Sequence, residues 1–441
     1  MTTPIRPGSP AGTSPAAPAA PARNAVSPQD IPRTPWNFFT YLNADNNLES
    51  FGKADLNEME RVGSMPGRMN VFALVDGAKG YTPDGGGWDS KSKLMWIQKD
   101  PSASDKIVSR EVAVDPNSEL GKLIAAGKGE LNLGDPKVMN AALKYVQQNV
   151  PSEHLFVDMW DHGDSWHASS SDDSGTTMQP SRGDLQKALE GVKVDVLGFD
   201  ECLMGAKEIA QVAAGAGVQQ MVGSEFLEPG AGWNYEDLFK RFDKLFDQKG
   251  VSAQSLAHAT VDSYAAGGKD NSHLAATDLS RMDAVESRSN ALSDALIRAG
   301  GLSNKAIRTA YQQAQRDDSD HEQMDLGDFA RRLAANTALT PEIRDAAKAL
   351  GNEIATASYS KTASGATQAA NTTGLSTYAP LRSFDTDYVK TPSNPWVGSK
   401  WTDFIDDIDQ SPAFRGPMFA PMPPTPAHHK GGASAGEWFL Q

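Results

Sequence analysis

The sequence predicts an α/β fold, with a mainly parallel sheet covered by helices on both faces and a helix-rich region towards the C-terminus. Two observations predict it. Short apolar runs at residues 154–160 and 194–199 read as buried strands, and each follows a helical segment, residues 136–149 and 183–190. Strands that alternate with helices assemble into a parallel sheet sandwiched between helical layers. From about residue 251 the pattern changes to long Ala-rich helical stretches, such as residues 281–299 and 341–355.

The elements follow in order. Residues 36–42 form an aromatic and apolar run that reads as a strand, leading into Asn43-Ala44-Asp45-Asn46-Asn47, a polar turn suited to capping a helix. Residues 71–76 give a second strand, which a Gly-rich stretch around Gly85, Gly86 and Gly87 connects to a third at 93–97. Residues 221–224 add another strand, and 374–378 a last one before Pro380. The expected organisation is a Pro/Ala/Ser-rich tail at 1–33, a main domain at 34–250, a helix-rich subdomain at 251–405 and a second tail at 406–441.

Composition narrows the function. A formal charge of -15 disfavours nucleic acid and anionic membranes as partners, and leaves cationic peptides open. One cysteine rules out an intramolecular disulfide framework and any zinc site built on several thiolates. No apolar run is long enough to predict a membrane span. Residues 1–30 lack a basic and an apolar region of signal-peptide type. They read either as a disordered tail or as an address for bacterial export without a classical signal peptide, so the compartment stays open between that route and the cytoplasm.

Two positions stand out chemically. Cys202 lies three residues beyond a predicted strand, in Gly198-Phe199-Asp200-Glu201-Cys202-Leu203-Met204, and just before a helix-like run beginning at Gly205. Ligands of open α/β sheets bind beyond the carboxyl ends of the strands, and a helix N-terminus lowers a thiol's pKa. The competing reading is a small buried hydrophobe. His162, in Asp161-His162-Gly163, holds the equivalent place after the other strand and is the candidate general base. His167 is the nearest rival. Gly163 permits a tight turn, which would point its N–H at a developing oxyanion beside the Cys202 N–H. Asp200 is open to two readings, a helix N-cap or a carboxylate that pairs with a Lys or Arg side chain of a substrate. The run 121–129 departs from a phosphate loop, and Asp317 to Asp320 lack the glycine and terminal glutamate of an EF-hand.

These residues resemble the clostripain family of cysteine peptidases. The likeness rests on Asp161-His162-Gly163 and on Gly198 to Met204 some forty residues later, and it spans roughly residues 35–405. Supporting segments are Trp36 to Glu49, Met221 to Glu225 with Pro229, Gly232 and Trp233, Ala276 to Ser280, Asp325 to Phe329 and Gly374 to Tyr378. The resemblance implies a caspase-like α/β/α sandwich and a cysteine endopeptidase with a His162/Cys202 dyad lacking an obligatory third member. It further implies cleavage of protein or peptide substrates after Arg or Lys, with Asp200 recognising the basic side chain and Ser224 lining the same pocket. Self-processing in the family points here to Arg182, beside the Ser/Asp/Gly-rich stretch 168–183, which reads as an exposed loop. No cofactor is required, although calcium dependence occurs in the family. Glu201 departs from the small residue often found there, and a second acid would either raise the thiol pKa or strengthen attraction for cations. A caspase-like scaffold without activity and a thiol esterase using the same dyad are the alternatives.

Overall fold

The computed structural model describes residues 25–409 except 82–84, 86–87, 249, 268–272, 320–321 and 363–370. Most of both expected tails, including the proposed export address at 1–30 up to residue 24, lies outside the described residues. The strands in chain order are β1 (Trp36–Ala44), β2 (Met69–Gly77), β3 (Lys93–Trp96), β4 (Arg110–Glu111), β5 (His154–Trp160), β6 (Gly163–Asp164), β7 (Ala168–Ser171), β8 (Thr177–Met178), β9 (Val196–Asp200), β10 (Gln220–Gly223), β11 (His273–Asp278), β12 (Gln323–Asp325), β13 (Ser358–Thr362) and β14 (Ser376–Tyr378). The helices are α1 (Glu49–Val62), α2 (Glu119–Ala126), α3 (Pro136–Asn149), α4 (Asp184–Leu189), α5 (Lys207–Gly215), α6 (Tyr235–Phe246), α7 (Ala253–Gly267), α8 (Met282–Arg298), α9 (Lys305–Gln313), α10 (Leu326–Ala335), α11 (Pro341–Ala357) and α12 (Lys400–Asp406).

Nine strands form one sheet in the order β13-β11-β10-β9-β5-β1-β2-β3-β4. The central five, β10 to β2, run parallel, and the strands added at both edges are antiparallel. β1 shows why two helical layers are needed. Phe39 and Tyr41 pack into one core with Val138, Leu185 and Ile209 of α3, α4 and α5, whereas Phe38 and Leu42 pack into another with Leu56, Leu238 and Leu256 of α1, α6 and α7. Alternate residues of a strand point to opposite faces, so a strand apolar at nearly every position must be covered twice.

Three details differ from the expectation. Val26 and Ile31 are buried in the core, and Val26 exchanges backbone hydrogen bonds with Glu111 and Ala113, so the fold begins before residue 33. The helix-rich segment also supplies β11 and β13 to the sheet edge, because its interruptions hold apolar and β-branched residues that the edge can pair. The stretch 168–183 is more ordered than a loop: β6, β7 and β8 form a small antiparallel sheet.

Candidate active site

The site lies beyond the carboxyl ends of the parallel strands. From β1 the chain steps to β2 on one side and later to β5 on the other, so the strand order reverses between β1 and β5. A crevice opens at such a reversal. In register, Leu42 pairs with Trp160, and Trp160 pairs with Asp200. His162 and Cys202 each stand two residues past this row, on adjacent parallel strands. Both line a cleft of about 470 Å³ together with Asn47, Leu48, Phe51, Asp200 and Glu228.

Cys202 is held in a strained turn. Leu203 has φ +65°, a left-handed conformation that a branched side chain adopts only under constraint, and its N–H donates to the Phe226 carbonyl at 3.0 Å. Gly205 packs on the Ser224 carbonyl group, where a Cβ would sit 2.8 Å from the carbonyl carbon. These residues spend the segment after β9 on a turn, and α5 starts only at Lys207. The expected helix N-terminus next to the thiol is therefore absent. Burial instead pushes the Cys202 thiol up to about 12, partly offset by the Glu228 N–H, with the carboxylates of Glu228, Asp318 and Glu201 adding to the rise. The Glu228 N–H reaches Cys202 Sγ at 3.2 Å.

His162 is fixed from both sides. Asp161, fully buried beside it, accepts from the His162 N–H (2.6 Å), the Asn46 amide (2.6 Å) and the Ser171 N–H. The imidazole Nε2 lies 2.8 Å from Asn47 Oδ1. Burial depresses the His162 pKa to about 4, so the ring is neutral at neutral pH. Gly163 lies flat against the Cys202 backbone, since a Cβ there would meet the Cys202 carbonyl oxygen at 2.5 Å. The rival His167 stacks on Trp166 at 3.6 Å and faces Glu322, outside the residues that line the cleft.

Asp200 lies at the base of the cleft. The Trp233 N–H donates to its carboxylate at 3.0 Å, and the Tyr235 hydroxyl is within reach of both Asp200 Oδ2 (2.9 Å) and Asp158 Oδ2 (2.8 Å). Its N–H partner belongs to another segment, so it does not serve as the cap of α5, whose N-cap is Ala206. Gly232, at φ +50°, approaches so closely that a Cβ would lie 2.6 Å from Asp200 Oδ2. Burial raises Asp200 to about 6, and burial with neighbouring carboxylates raises Glu228, Asp158 and Asp55 as well. No positive charge figures among the principal influences on these four acids.

The remaining candidates fall elsewhere. Ser224 is fully buried, its Oγ accepts from the Phe226 N–H (3.0 Å), and it is not among the residues that line the cleft. Arg182 is exposed at the end of the short helical turn Pro180–Arg182. Glu201 is buried, accepts from Ser169 Oγ at 2.7 Å, and is raised to about 8, first by burial. It is thus mostly protonated at neutral pH and adds only modestly to the thiol's rise. Sequence reasoning missed Asn47 and Glu228 as cleft residues. The signals were present, an amide in the turn after β1 and an acid just before Pro229 and Gly230, but only the fold brings them to Cys202. Among the described residues, no group of three or more His, Cys, Asp or Glu is arranged to hold a metal ion, and no helix is long and apolar enough to cross a membrane.

Known proteins share the fold that carries this site. Clostripain from Hathewaya histolytica is 23% identical over 425 residues, covering 83% of this chain and 79% of its own length. The solved structure of a secreted C11 cysteine protease from Bacteroides thetaiotaomicron, bound to an irreversible peptide inhibitor, superposes with a TM-score of 0.60 at 19% identity, covering 85% of this chain and 99% of that one. An inactive zymogen C11 protease from Parabacteroides distasonis gives a TM-score of 0.58 at 16% identity and the same coverage. The caspase-like α/β/α fold is therefore shared with these proteases. A sequence model of the clostripain family matches residues 40–407, nearly the whole described chain, and the protein belongs to the clostripain family of cysteine proteases.

Proposed function

We propose that this endopeptidase cleaves after Arg or Lys, with Cys202 as nucleophile and His162 as the proton carrier. The observation that carries the reading is the register of β5 and β9, with His162 and Cys202 two residues beyond the paired Trp160 and Asp200 at one cleft whose base is acidic. In the reaction, His162 takes the thiol proton and Cys202 Sγ attacks the substrate carbonyl carbon. The N–H groups of Gly163 and Cys202 stabilise the oxyanion. Collapse expels the amine, which receives the proton from His162, and leaves a thioester. Water, deprotonated by His162, then releases the acid and restores the thiol. This sequence is complete without a metal or other cofactor.

Asp200 and Glu228 are the residues we assign to the substrate's cation. A buried carboxylate set without a counterion is stabilised when a guanidinium or ammonium enters. The resemblance to the clostripain family, which implies cleavage after Arg or Lys, supports the same assignment. Self-processing after Arg182 belongs to the same reading, since its side chain is exposed and the following Gly183, at φ +73°, closes a short turn that can open locally.

Initial rates on fluorogenic peptides ending in Arg, Lys, Asp or Leu test the proposal. Cleavage confined to Arg and Lys, lost in Cys202→Ala and weakened in Asp200→Ala, is the expected outcome; equal rates on Leu peptides would sink the specificity assignment. N-terminal sequencing after incubation in reductant should find a new chain beginning at Gly183, and an active protein that stays one chain would remove the processing step.

A further inference from the structure

We infer that Asn47 is a positioning residue for His162, its side-chain oxygen selecting the imidazole tautomer in which Nε2 carries the proton and Nδ1 exchanges protons with Cys202. The inference rests on the reading of His162 as the proton carrier. It begins from topology. β1 and β5 are parallel neighbours at the point where strand order reverses, so the turn after β1 faces the turn after β5. The two turns are then tied together. The Asn46 amide donates to Asp161 Oδ1 at 2.6 Å and to the Ser171 carbonyl at 2.9 Å, and the same Asp161 oxygen accepts from the His162 N–H. Asn46 Oδ1 in turn accepts from the Leu48 N–H at 2.8 Å. Asn47, between these anchors, brings Oδ1 to 2.8 Å from His162 Nε2.

An amide oxygen only accepts, so a hydrogen bond there requires Nε2–H, and a neutral imidazole with Nε2–H has Nδ1 as its acceptor. The choice of an amide over a carboxylate matters in this setting. Asp161, Asp164, Asp200, Glu201 and Glu228 already surround His162 and Cys202 on the strand ends, the hairpin and the loop after β10, and Asp318 acts on Cys202 from the loop before β12. A carboxylate at position 47 would accept from Nε2–H as well, but its charge would favour the imidazolium and raise the pH at which the ring becomes a base. A neutral acceptor orients the ring without adding charge, and burial leaves the ring neutral until it takes the thiol proton.

The test is the pH profile of kcat and KM on an Arg-peptide amide for the full chain and four variants, Asn47→Ala, Asn47→Asp, His162→Ala and Cys202→Ala, each with a thermal melt. Asn47→Ala should lower kcat about 10- to 100-fold with KM within about twofold, a part of the typical worth of a placed proton carrier. Asn47→Asp, which still accepts from Nε2–H, should recover most of that loss while moving the acid limb of the profile upward. Equal losses in both Asn47 variants with an unmoved acid limb, or Asn47→Ala within about twofold of wild type, would overturn the inference while leaving the dyad intact if His162→Ala is inactive. Substantial activity in His162→Ala would overturn the dyad itself. Should Asn47→Ala melt early, Asn47→Asp decides alone: an upward acid limb supports the role and an unmoved one ends it.

Discussion

The two walls of the cleft are built on opposite electrostatic terms. Around His162 the groups are matched. Asp161 accepts three hydrogen bonds, Asn47 meets the imidazole, and burial keeps the ring neutral. Around Asp200 the groups are crowded and alike, with Glu228, Asp158 and Asp55 all raised by burial and by one another. One wall has its polar groups matched, and the other gathers acids whose charge a substrate cation would offset under the proposed function. Under the proposed function the difference separates bond cleavage from recognition, and Cys202 lies between the two walls, its sulfur touched by the N–H of the acidic wall's Glu228.

Thiol reactivity gives the largest expected effect. With Cys202 held up to about 12 and His162 down at about 4, the resting pair is a neutral thiol beside a neutral imidazole. The thiolate fraction then grows about tenfold per pH unit, so iodoacetamide alkylation should rise about a thousandfold from pH 6 to pH 9 without a plateau. A plateau near pH 7 would instead show a preformed thiolate–imidazolium pair and erase the contrast between the walls.

Next in size is Asp200→Asn. Removing one partner of a buried charge pair costs, at the lower end of the usual range, about 3–4 kcal/mol, which corresponds to a loss of about 150- to 900-fold in kcat/KM on Arg and Lys peptides. Glu228→Gln should lose less, because the Asp200 carboxylate remains. In the intact enzyme kcat/KM should fall as the pH drops through about 6, where Asp200 takes up a proton and ceases to attract the cation. A pH profile flat down to pH 5 would take the recognition role away from Asp200.

Gly163→Ala tests the shared edge of the two strand ends. The added Cβ would press on the Cys202 carbonyl oxygen from 2.5 Å, and overpacking of this kind typically costs about 1–3 kcal/mol. Activity should fall by more than the melting temperature suggests, since the displaced atoms belong to the nucleophile's turn. Retained activity with lowered stability would show that the Gly163 backbone is not part of the reacting geometry.

The smallest effect belongs to Glu201. Its pKa is raised in the fold to about 8 from an ordinary 4.5, so its protonated form stabilises the fold fully below about 4.5 and that contribution is lost as the pH rises through about 8. Between pH 6.5 and 9.5 wild type should lose about 1–2 kcal/mol more stability than Glu201→Gln, which cannot ionise. Parallel losses in the two proteins would place the alkaline sensitivity on the other buried acids.

Much of the scaffold was legible because buried parallel strands leave a plain mark. The helix at 136–149 and the strands at 154–160 and 220–223 match apolar runs and caps that local chemistry explains. His162 and Cys202 were legible for the same reason, as reactive residues just past strand ends. The stretch 168–183 and Ser224 show the limit. A Ser/Asp/Gly-rich composition suggested a loop, but antiparallel pairing folded part of that stretch into β7 and β8, and the Ser224 hydroxyl turned inward to accept from the Phe226 N–H.

By itself the sequence determined the alternation of strand and helix and the two strand ends that carry a histidine and a cysteine, since periodicity and turn chemistry are local. It also determined the acidic excess, which disfavours nucleic acid and leaves cationic peptides open. Only the tertiary structure decided that Asn47 meets His162, that Glu228 joins Asp200, and that Cys202 rests as a protonated thiol in a strained turn rather than at a helix end. Those outcomes depend on strand order, register and burial, which join residues more than twenty to more than a hundred positions apart and which no local pattern encodes.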